Sequence, residues 1–233
     1  TLFPYTTLFR SVKALDDRSL RRELRRRALE VTRRYRGRIP EYDVNNEVLH
    51  GSYYTGRLGE GVFDDMFRWA RQGDRRATLY VNDFDILTGR DVGKYERQIQ
   101  GLIDRGVPVG GIGLQGHYGG RVNVRHVRRV LDRLGRFGLP IKVTEFDQNL
   151  EDEQIRGEDL TEFYRTCFAH PAVAGILMWG FWEGAHWRPA AALWKKDFRP
   201  TAAAEAYDRL VLDEWWTQRS EERRVGKECA TGG

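Results

Sequence analysis

Glu47 and Glu145 are the residues of this chain best placed to do chemistry. Each stands in a short segment that alternates apolar and polar residues as a β-strand does, Tyr42-Asp43-Val44-Asn45-Asn46-Glu47 and Ile141-Lys142-Val143-Thr144-Glu145-Phe146-Asp147. Two strand-end carboxylates far apart in sequence are what an acid/base or nucleophile pair requires, because one group must hold a proton while the other stays ionised. A single carboxylate at a strand end is more often a surface ion pair or a helix cap. The context argues otherwise: Glu47 follows Asn46 and Glu145 follows Thr144, each at the end of an apolar strand that does not take up a charge without purpose.

Such residues need a scaffold, and the rest of the sequence reads as a repeating one. Residues 12–38 form an amphipathic helix, with Leu20, Leu24, Ala28, Val31 and Tyr35 on one stripe and Arg21, Arg22, Arg25, Arg26 and Arg33 elsewhere; Gly37 and Pro40 end it. Its arginines read as a solvated face rather than a phosphate site. A short apolar strand, a loop and an amphipathic helix then recur. The strand at 41–46 leads through a long loop to a helix using Phe63, Met66, Phe67 and Ala70, and the strand at 78–83 to one using Tyr95, Ile99, Leu102 and Ile103. The strand at 109–115 precedes a helix burying Val124, Val127, Leu131 and Leu134; that at 140–145 precedes Leu160, Phe163 and Cys167; that at 174–179 precedes Ala206 and Leu210.

Five strands, each followed by a helix, call for parallel pairing through crossover connections. Polar or aromatic residues stand at every strand's carboxyl end: Asn46 and Glu47, Asn82 and Asp83, Gln115 and His117, Glu145 and Asp147, and Trp179. In a (β/α)8 barrel those ends converge on one mouth, whereas an open doubly wound sheet gathers ligands at one switch point, so the pattern predicts an α/β barrel. Val44, Val81, Ile112 and Val143 are expected to face the barrel interior.

The chain has 233 residues with 39 Lys+Arg against 34 Asp+Glu. Residues 1–11 and 219–229 can be encoded by reverse-complementary codons, from Thr1 as ACA against Cys229 as TGT through Ser11 against Arg219, and read as one sequencing adapter on opposite strands. On this reading 219–233 is adapter and tail, and 12–218 is a single partial barrel domain. Setting the adapter residues aside leaves 34 basic against 31 acidic side chains, a net charge of +3. That mild excess is not the footprint of a nucleic-acid binder. Without Cys229, Cys167 has no partner, so no disulfide framework is expected. No apolar run reaches the length of a membrane span, so no membrane partner is expected.

Taken in order over residues 40–215, five motifs resemble those of the family-ten glycoside hydrolases, the endo-β-1,4-xylanases. They are Asp43-Val44-Asn45-Asn46-Glu47, Asn82-Asp83-Phe84, Gly111-Ile112-Gly113-Leu114-Gln115-Gly116-His117, Thr144-Glu145-Phe146-Asp147, and Trp179 with Trp187 eight residues on. The resemblance implies an eight-stranded TIM barrel of which strands four to eight are present, about five of eight units. Those strands alone are expected to be loosely packed and inactive. It implies retaining hydrolysis of internal β-1,4-xylosidic bonds of xylan or xylo-oligosaccharides, with no cofactor and a secreted or periplasmic location. By the same resemblance Glu47 is the general acid/base and Glu145 the nucleophile. His117 would hold Glu145 as the anion, Asn46 would donate to the sugar 2-hydroxyl, and Trp179 and Trp187 would wall the sugar beside the scissile bond. Asn82, Phe84 and Gln115 would bind substrate or support these groups. Phe84 departs from the family's usual tyrosine, which removes a hydroxyl from the leaving-group side, and Asp85 replaces a frequent asparagine. Another β-1,4-glycanase, cellulase-like, or a non-catalytic carbohydrate-binding scaffold would use the same barrel; the intact carboxylates, Asn46 and His117 argue against the scaffold.

Several other patterns carry less. Gly111-Ile112-Gly113-Leu114-Gln115-Gly116 fits the dinucleotide pattern GxGxxG, but no helix opens there and no acidic strand end follows about twenty residues on. Glu47-Val48-Leu49-His50 matches the Glu-x-x-His of di-iron bundles without a second copy. His126, His170 and His186 lack metal-ligand spacing, so no metal is expected. Trp182, Trp194, Trp215 and Trp216 read as packing aromatics.

Overall fold

The computed structural model describes residues 12–216. The adapter-like ends, and the domain boundaries drawn at them, lie outside the described residues. The first helix, α1 (Asp17–Arg34), begins where the Asp16 carboxylate accepts the Ser19 N–H at 2.7 Å, a side-chain cap that satisfies one of the free amides of a helix start. It ends four residues short of expectation, since the chain passes into turns before Gly37 at φ +73°. Leu20, Leu24, Ala28 and Thr32 form its buried face.

Units of strand and helix follow: β1 (Glu41–Asn46), α2 (Tyr53–Leu58), α3 (Gly61–Gly73), β2 (Thr78–Asp83), α4 (Val92–Asp104), β3 (Gly111–Tyr118), α5 (Val124–Gly135), β4 (Ile141–Gln148), α6 (Glu153–Phe168) and β5 (Val173–Met178). A 3-10 turn (Pro189–Ala191), α7 (Ala202–Tyr207) and a π-helical turn (Asp208–Glu214) complete the described chain. The five strands pair in the order β1-β2-β3-β4-β5, all parallel. A wall laid down in sequence order is that of a barrel, because a doubly wound sheet reverses its order at the switch point. Among the described residues β1 and β5 are the two edges.

Three expectations change. β3 and β4 run three residues further than the apolar pattern suggested, because their ladder continues through Gln115↔Glu145, His117↔Asp147 and Tyr118↔Gln148. Partners across the ladder, not side-chain polarity, decide where those strands stop. The GxGxxG stretch therefore lies inside β3, where a Cβ at Gly111 would come within 2.2 Å of the Tyr80 ring and one at Gly113 within 2.5 Å of Asn82 Oδ1. These glycines make room for neighbouring side chains rather than for a phosphate.

The second change concerns the faces of the strands. Val44, Val81, Ile112 and Val143 are buried in the core beneath the helices, with Phe67, Leu102, Leu131 and Phe163. The concave face instead carries Glu41, Asp43, Tyr80, Lys142 and Thr144 around a hollow of about 350 Å3. Strand residues alternate, and the larger apolar layer of a β/α wall lies between sheet and helices, so the valines go there. On the concave face Lys142 pairs with Glu41, and burial, with the charges of Glu145 and Glu41 adding to it, pushes the Asp43 carboxyl up to about 6. Thirdly, Trp216 is 61% exposed and does not pack in the core, whereas Trp194 and Trp215 lie against it.

Close packing of α6 on α7 depends on one small residue. A Cβ on Gly157 would lie 2.9 Å from the Ala202 carbonyl oxygen, which is backbone and cannot swing aside. Gly157→Ala is expected to lower unfolding stability by about 1–3 kcal/mol. Gly56→Ala, with nothing within 4 Å of its Cβ, should leave stability unchanged or slightly raised. Urea unfolding midpoints of the two variants test the contrast, and equal midpoints would contradict it.

Candidate active site

At the end of β1 the chain turns sharply. Glu47 has φ +61°, a left-handed conformation that costs a non-glycine residue about 1–3 kcal/mol. Three backbone bonds hold it: the Glu47 N–H donates to the Asn82 carbonyl at 2.9 Å, and the N–H groups of His50 and Gly51 donate to the Glu47 carbonyl at 3.2 and 2.7 Å. A row of polar side chains across the sheet then aims at the carboxylate. Thr144 Oγ1 donates to Asn82 Oδ1 at 2.7 Å, Asn82 Nδ2 to Asn46 Oδ1 at 2.7 Å, and Asn46 Nδ2 to Glu47 Oε1 at 3.1 Å. Gln115 Nε2 donates to the same oxygen at 2.9 Å. Every bond runs in one direction along this row, which sets the orientation of each amide. Glu47 Oε2 has no protein partner among the described residues.

Glu145 lies opposite Gln115 in the β3–β4 ladder. Its Oε2 is 3.3 Å from His117 Nε2, and His117 Nδ1 is 2.8 Å from Asp147 Oδ1. Asp147 is fully buried. Its second oxygen accepts the Trp187 Nε1–H at 2.6 Å and stands 4.0 Å from His186 Nε2. His186 Nδ1 accepts the Arg188 backbone N–H at 3.0 Å, so Nε2 carries that ring's proton when it is neutral. Burial alone would push the His117 imidazole down, but the hydrogen bonds and charges of Asp147 and Glu145 outweigh it and raise its pKa to about 9. At neutral pH the ring is therefore a cation that donates to both carboxylates.

These groups line one cleft of about 660 Å3. Glu47, Phe84, Gln115, His117, Glu145, Trp179 and Trp187 all reach its wall. Trp179 and Trp187 are 45% and 54% exposed there, and their rings stand edge-on to His117 at 6.3 and 5.1 Å. Asn82 is buried behind the wall, and Asn46 sits between it and Glu47. All nine residues singled out in the sequence thus belong to one connected constellation.

Other members of the constellation escaped the sequence reading. The sequence marks Asp147 only as a strand-end acid within a motif and His186 only as a histidine without ligand spacing, and gives no sign of Arg188, whose guanidinium lies 4.0 Å over the Trp187 ring. His50 stacks on Phe84 at 3.9 Å, and its Nδ1 is 2.6 Å from Asp83 Oδ1. Asp83 also accepts the backbone N–H groups of Leu49 and Phe84 at 2.7 and 2.9 Å, so it ties the loop carrying Glu47 to the loop carrying Phe84. The strand-end position of Asp83 was the available signal. Ligand-type atoms of His50, Asp85 and Asp91 lie within 4.8 Å of one another. Arg90 pairs with Asp85 at 2.7 Å and Lys94 with Asp91 at 2.5 Å, so cations already neutralise these acids.

Parallel strands in sequence order, with two glutamates and two tryptophans at their carboxyl ends, define a β/α-barrel protein with an aromatic-walled carboxylate cleft. The model of glycosyl hydrolase family 10 matches residues 5–210, and the chain belongs to that family. It is 44% identical over 176 residues to endo-1,4-beta-xylanase 1 of Arabidopsis thaliana, covering 74% of this chain and 18% of that protein. It is 36% identical over 208 residues to anti-sigma-I factor RsgI6 of Acetivibrio thermocellus, covering 89% of this chain and 27% of that protein. The crystal structure of xylanase 10B from Thermotoga petrophila in complex with xylobiose matches with a TM-score of 0.81 at 26% identity, over 92% of this chain and 73% of that one. The chain therefore spans about a fifth to a quarter of the length of the two curated relatives.

The His117 pair of bonds links stability to pH. A folded-state pKa of about 9 lies above the unfolded value of about 6.5, so this stabilisation is complete below pH ~6.5 and is lost as pH rises through ~9. The urea midpoint is expected to fall over that window, and to fall less in His117→Gln. Equal falls in both proteins would assign the effect to other groups.

Proposed function

We propose that the protein containing these residues is a retaining endo-1,4-β-xylanase acting on internal bonds of xylan by double displacement. One observation carries the reading: two glutamates share an aromatic-walled cleft, one beside a cationic imidazole and the other with a carboxylate oxygen free of partners among the described residues. Glu145, beside the cationic His117 ring, attacks the anomeric carbon. Glu47 delivers its proton to the leaving glycosidic oxygen, and a glycosyl-enzyme forms. Glu47 then takes a proton from water, which attacks the same carbon and releases Glu145. Such a mechanism requires carboxyl groups about 5–5.5 Å apart.

Supporting roles follow from the donor inventory. Asn46 spends one amide hydrogen on Glu47 and has a second for the sugar 2-hydroxyl. Trp179 and Trp187 offer flat apolar rings to the C–H faces of a pyranose. Phe84, backed by His50, gives the leaving-group sugar a ring without a hydroxyl. By resemblance to its family the protein is expected to act in a secreted or periplasmic setting. Activity belongs to the closed barrel on this reading, since among the described residues β1 and β5 are edges without a strand partner, and these five strands by themselves are expected to be inactive.

The likeness to a protein named as an anti-sigma factor favours a second reading, a carbohydrate-binding regulator on the same scaffold. Xylan binding without turnover by a protein with a closed barrel would establish it.

Hydrolysis of xylan should proceed with retention, because attack and departure on opposite faces occur twice. NMR of the first products reads the new reducing end directly: the β-anomer supports the double displacement, and the α-anomer appearing first would overturn the assignment of Glu145.

Removing Glu47 and removing Glu145 should have different effects. Glu47→Ala is expected to slow xylan cleavage by about 10²–10⁴-fold while leaving glycosyl-enzyme formation from aryl xylosides with good leaving groups nearly intact. Glu145→Ala should abolish both reactions. Pre-steady-state release of the aryl group distinguishes the roles, and equal losses with good and poor leaving groups in the Glu47 variant would refute its part as the acid.

A further inference from the structure

At the opposite end of the sheet, by the amino ends of β1 and β2, two connecting loops enclose a second concavity of about 660 Å3. One loop, residues 36–40, leaves α1, and the other, residues 74–77, leaves α3, whose last turn adds Gln72. Arg36, Arg38, Arg75 and Arg76 line it against a single acid, Asp74. Asp74 is buried, and its Oδ1 accepts the Arg76 backbone N–H at 2.9 Å, so the cleft holds four guanidinium groups against one carboxylate. Arg36 is held to the wall by the Gly73 carbonyl, with Nε at 3.1 Å. The side chains of Arg38, Arg75 and Arg76 have no acidic partner among the described residues. Elsewhere Arg57 meets Asp17, Arg105 meets Asp64, Arg121 meets Asp159 and Arg133 meets Glu96; what sets Arg38, Arg75 and Arg76 apart is that they line one concavity together.

The walls are braced from within. Arg71 turns its guanidinium to the carbonyls of Arg75 and Ala77, at 2.8 and 2.6 Å. The Thr78 N–H donates to the Pro40 carbonyl at 2.8 Å, tying the two loops together. Unneutralised guanidinium groups on fixed loops form a site for anions, and each can hold a carboxylate by two parallel hydrogen bonds. Ile39, 38% exposed, and Pro40 add an apolar strip beside the charges, which suits the C–H face of a sugar.

We propose that this cleft binds the carboxylates of uronic acid residues on a polysaccharide, as a docking site separate from the glutamate cleft. The class of ligand rests on the polysaccharide reading given under Proposed function; the anion site itself rests on the arginines. A nucleic acid fits less well, because the net charge is only +5 and the arginines gather around one open concavity rather than along a stripe. Glu41 and Glu47 mark opposite ends of β1, which at about 3.3 Å per residue puts the two sites roughly 20 Å apart. One acidic chain can therefore reach this site without entering the glutamate cleft.

Affinity electrophoresis of the purified 233-residue chain tests the proposal, using gels that contain glucuronoxylan or the same polymer with its carboxyls reduced to alcohols. The acidic polymer should retard the chain more strongly, and the difference should shrink with added salt. Replacing Arg38, Arg75 and Arg76 together by Gln should weaken binding of the acidic polymer about tenfold or more, equivalent to ~1.4 kcal/mol. The corresponding triple Lys variant should keep part of it, and circular dichroism checks that both variants fold. Equal retardation by the two polymers, or by wild type and the Gln variant, would overturn the proposal. So would tighter binding of a single-stranded oligonucleotide than of glucuronoxylan at the same salt. Arginine-dependent retardation by a protein whose closed barrel cleaves no xylan would sink the xylanase reading and leave this site standing; xylan cleavage with arginine-independent retardation would do the reverse.

Discussion

A carboxylate with no access to water has to be satisfied by the protein around it, and Asp147 is such a group. Its two oxygens face the rings of His117 from β3 and of Trp187 and His186 from the segment after β5. If any of these segments moved, a buried charge would lose donors, at a cost well above that of a surface ion pair. This one residue therefore fixes how the third, fourth and fifth strand ends stand relative to each other. Through His117 it also sets the charge beside Glu145, and through Trp187 it sets the angle of a cleft wall.

A parallel sheet makes this arrangement possible. Running all strands in one direction brings their carboxyl ends to one side, while α/β connections take the apolar faces of Val44, Val81, Ile112 and Val143 into a helix-covered core. The concave face is then free to be polar. It carries the row from Thr144 through Asn82 and Asn46 to Glu47, in which each side chain donates to the next. The strained φ at Glu47 makes sense against that row, because the left-handed turn directs the carboxylate toward Asn46 and Gln115 rather than along the strand.

Membership of one family does not carry one function with it. The relatives include proteins named as xylanases and one named as an anti-sigma factor, so the barrel is a frame on which particular side chains decide the outcome. In this chain the deciding groups cluster at the carboxyl ends of the strands, whereas the αβ loops at the other end collect arginines. The sheet thus separates two electrostatically different ends of the same wall.

Periodicity, strand-end polarity and breaker residues are local properties, and the sequence by itself determined what depends on them. It determined five strands each followed by a helix, their parallel pairing, and the gathering of Glu47, Gln115, His117, Glu145, Trp179 and Trp187 at one end. Tertiary structure alone decided which face of each strand is buried, because an alternating strand can present either face to a core, and the helices chose. It also decided the true ends of β3 and β4, since the ladder between them outlasts the apolar pattern. The work of Asp147, Asp83 and His50 belongs to the same category. A buried acid is stable only where donors from distant segments converge on it, and no stretch of local sequence specifies which segments those are.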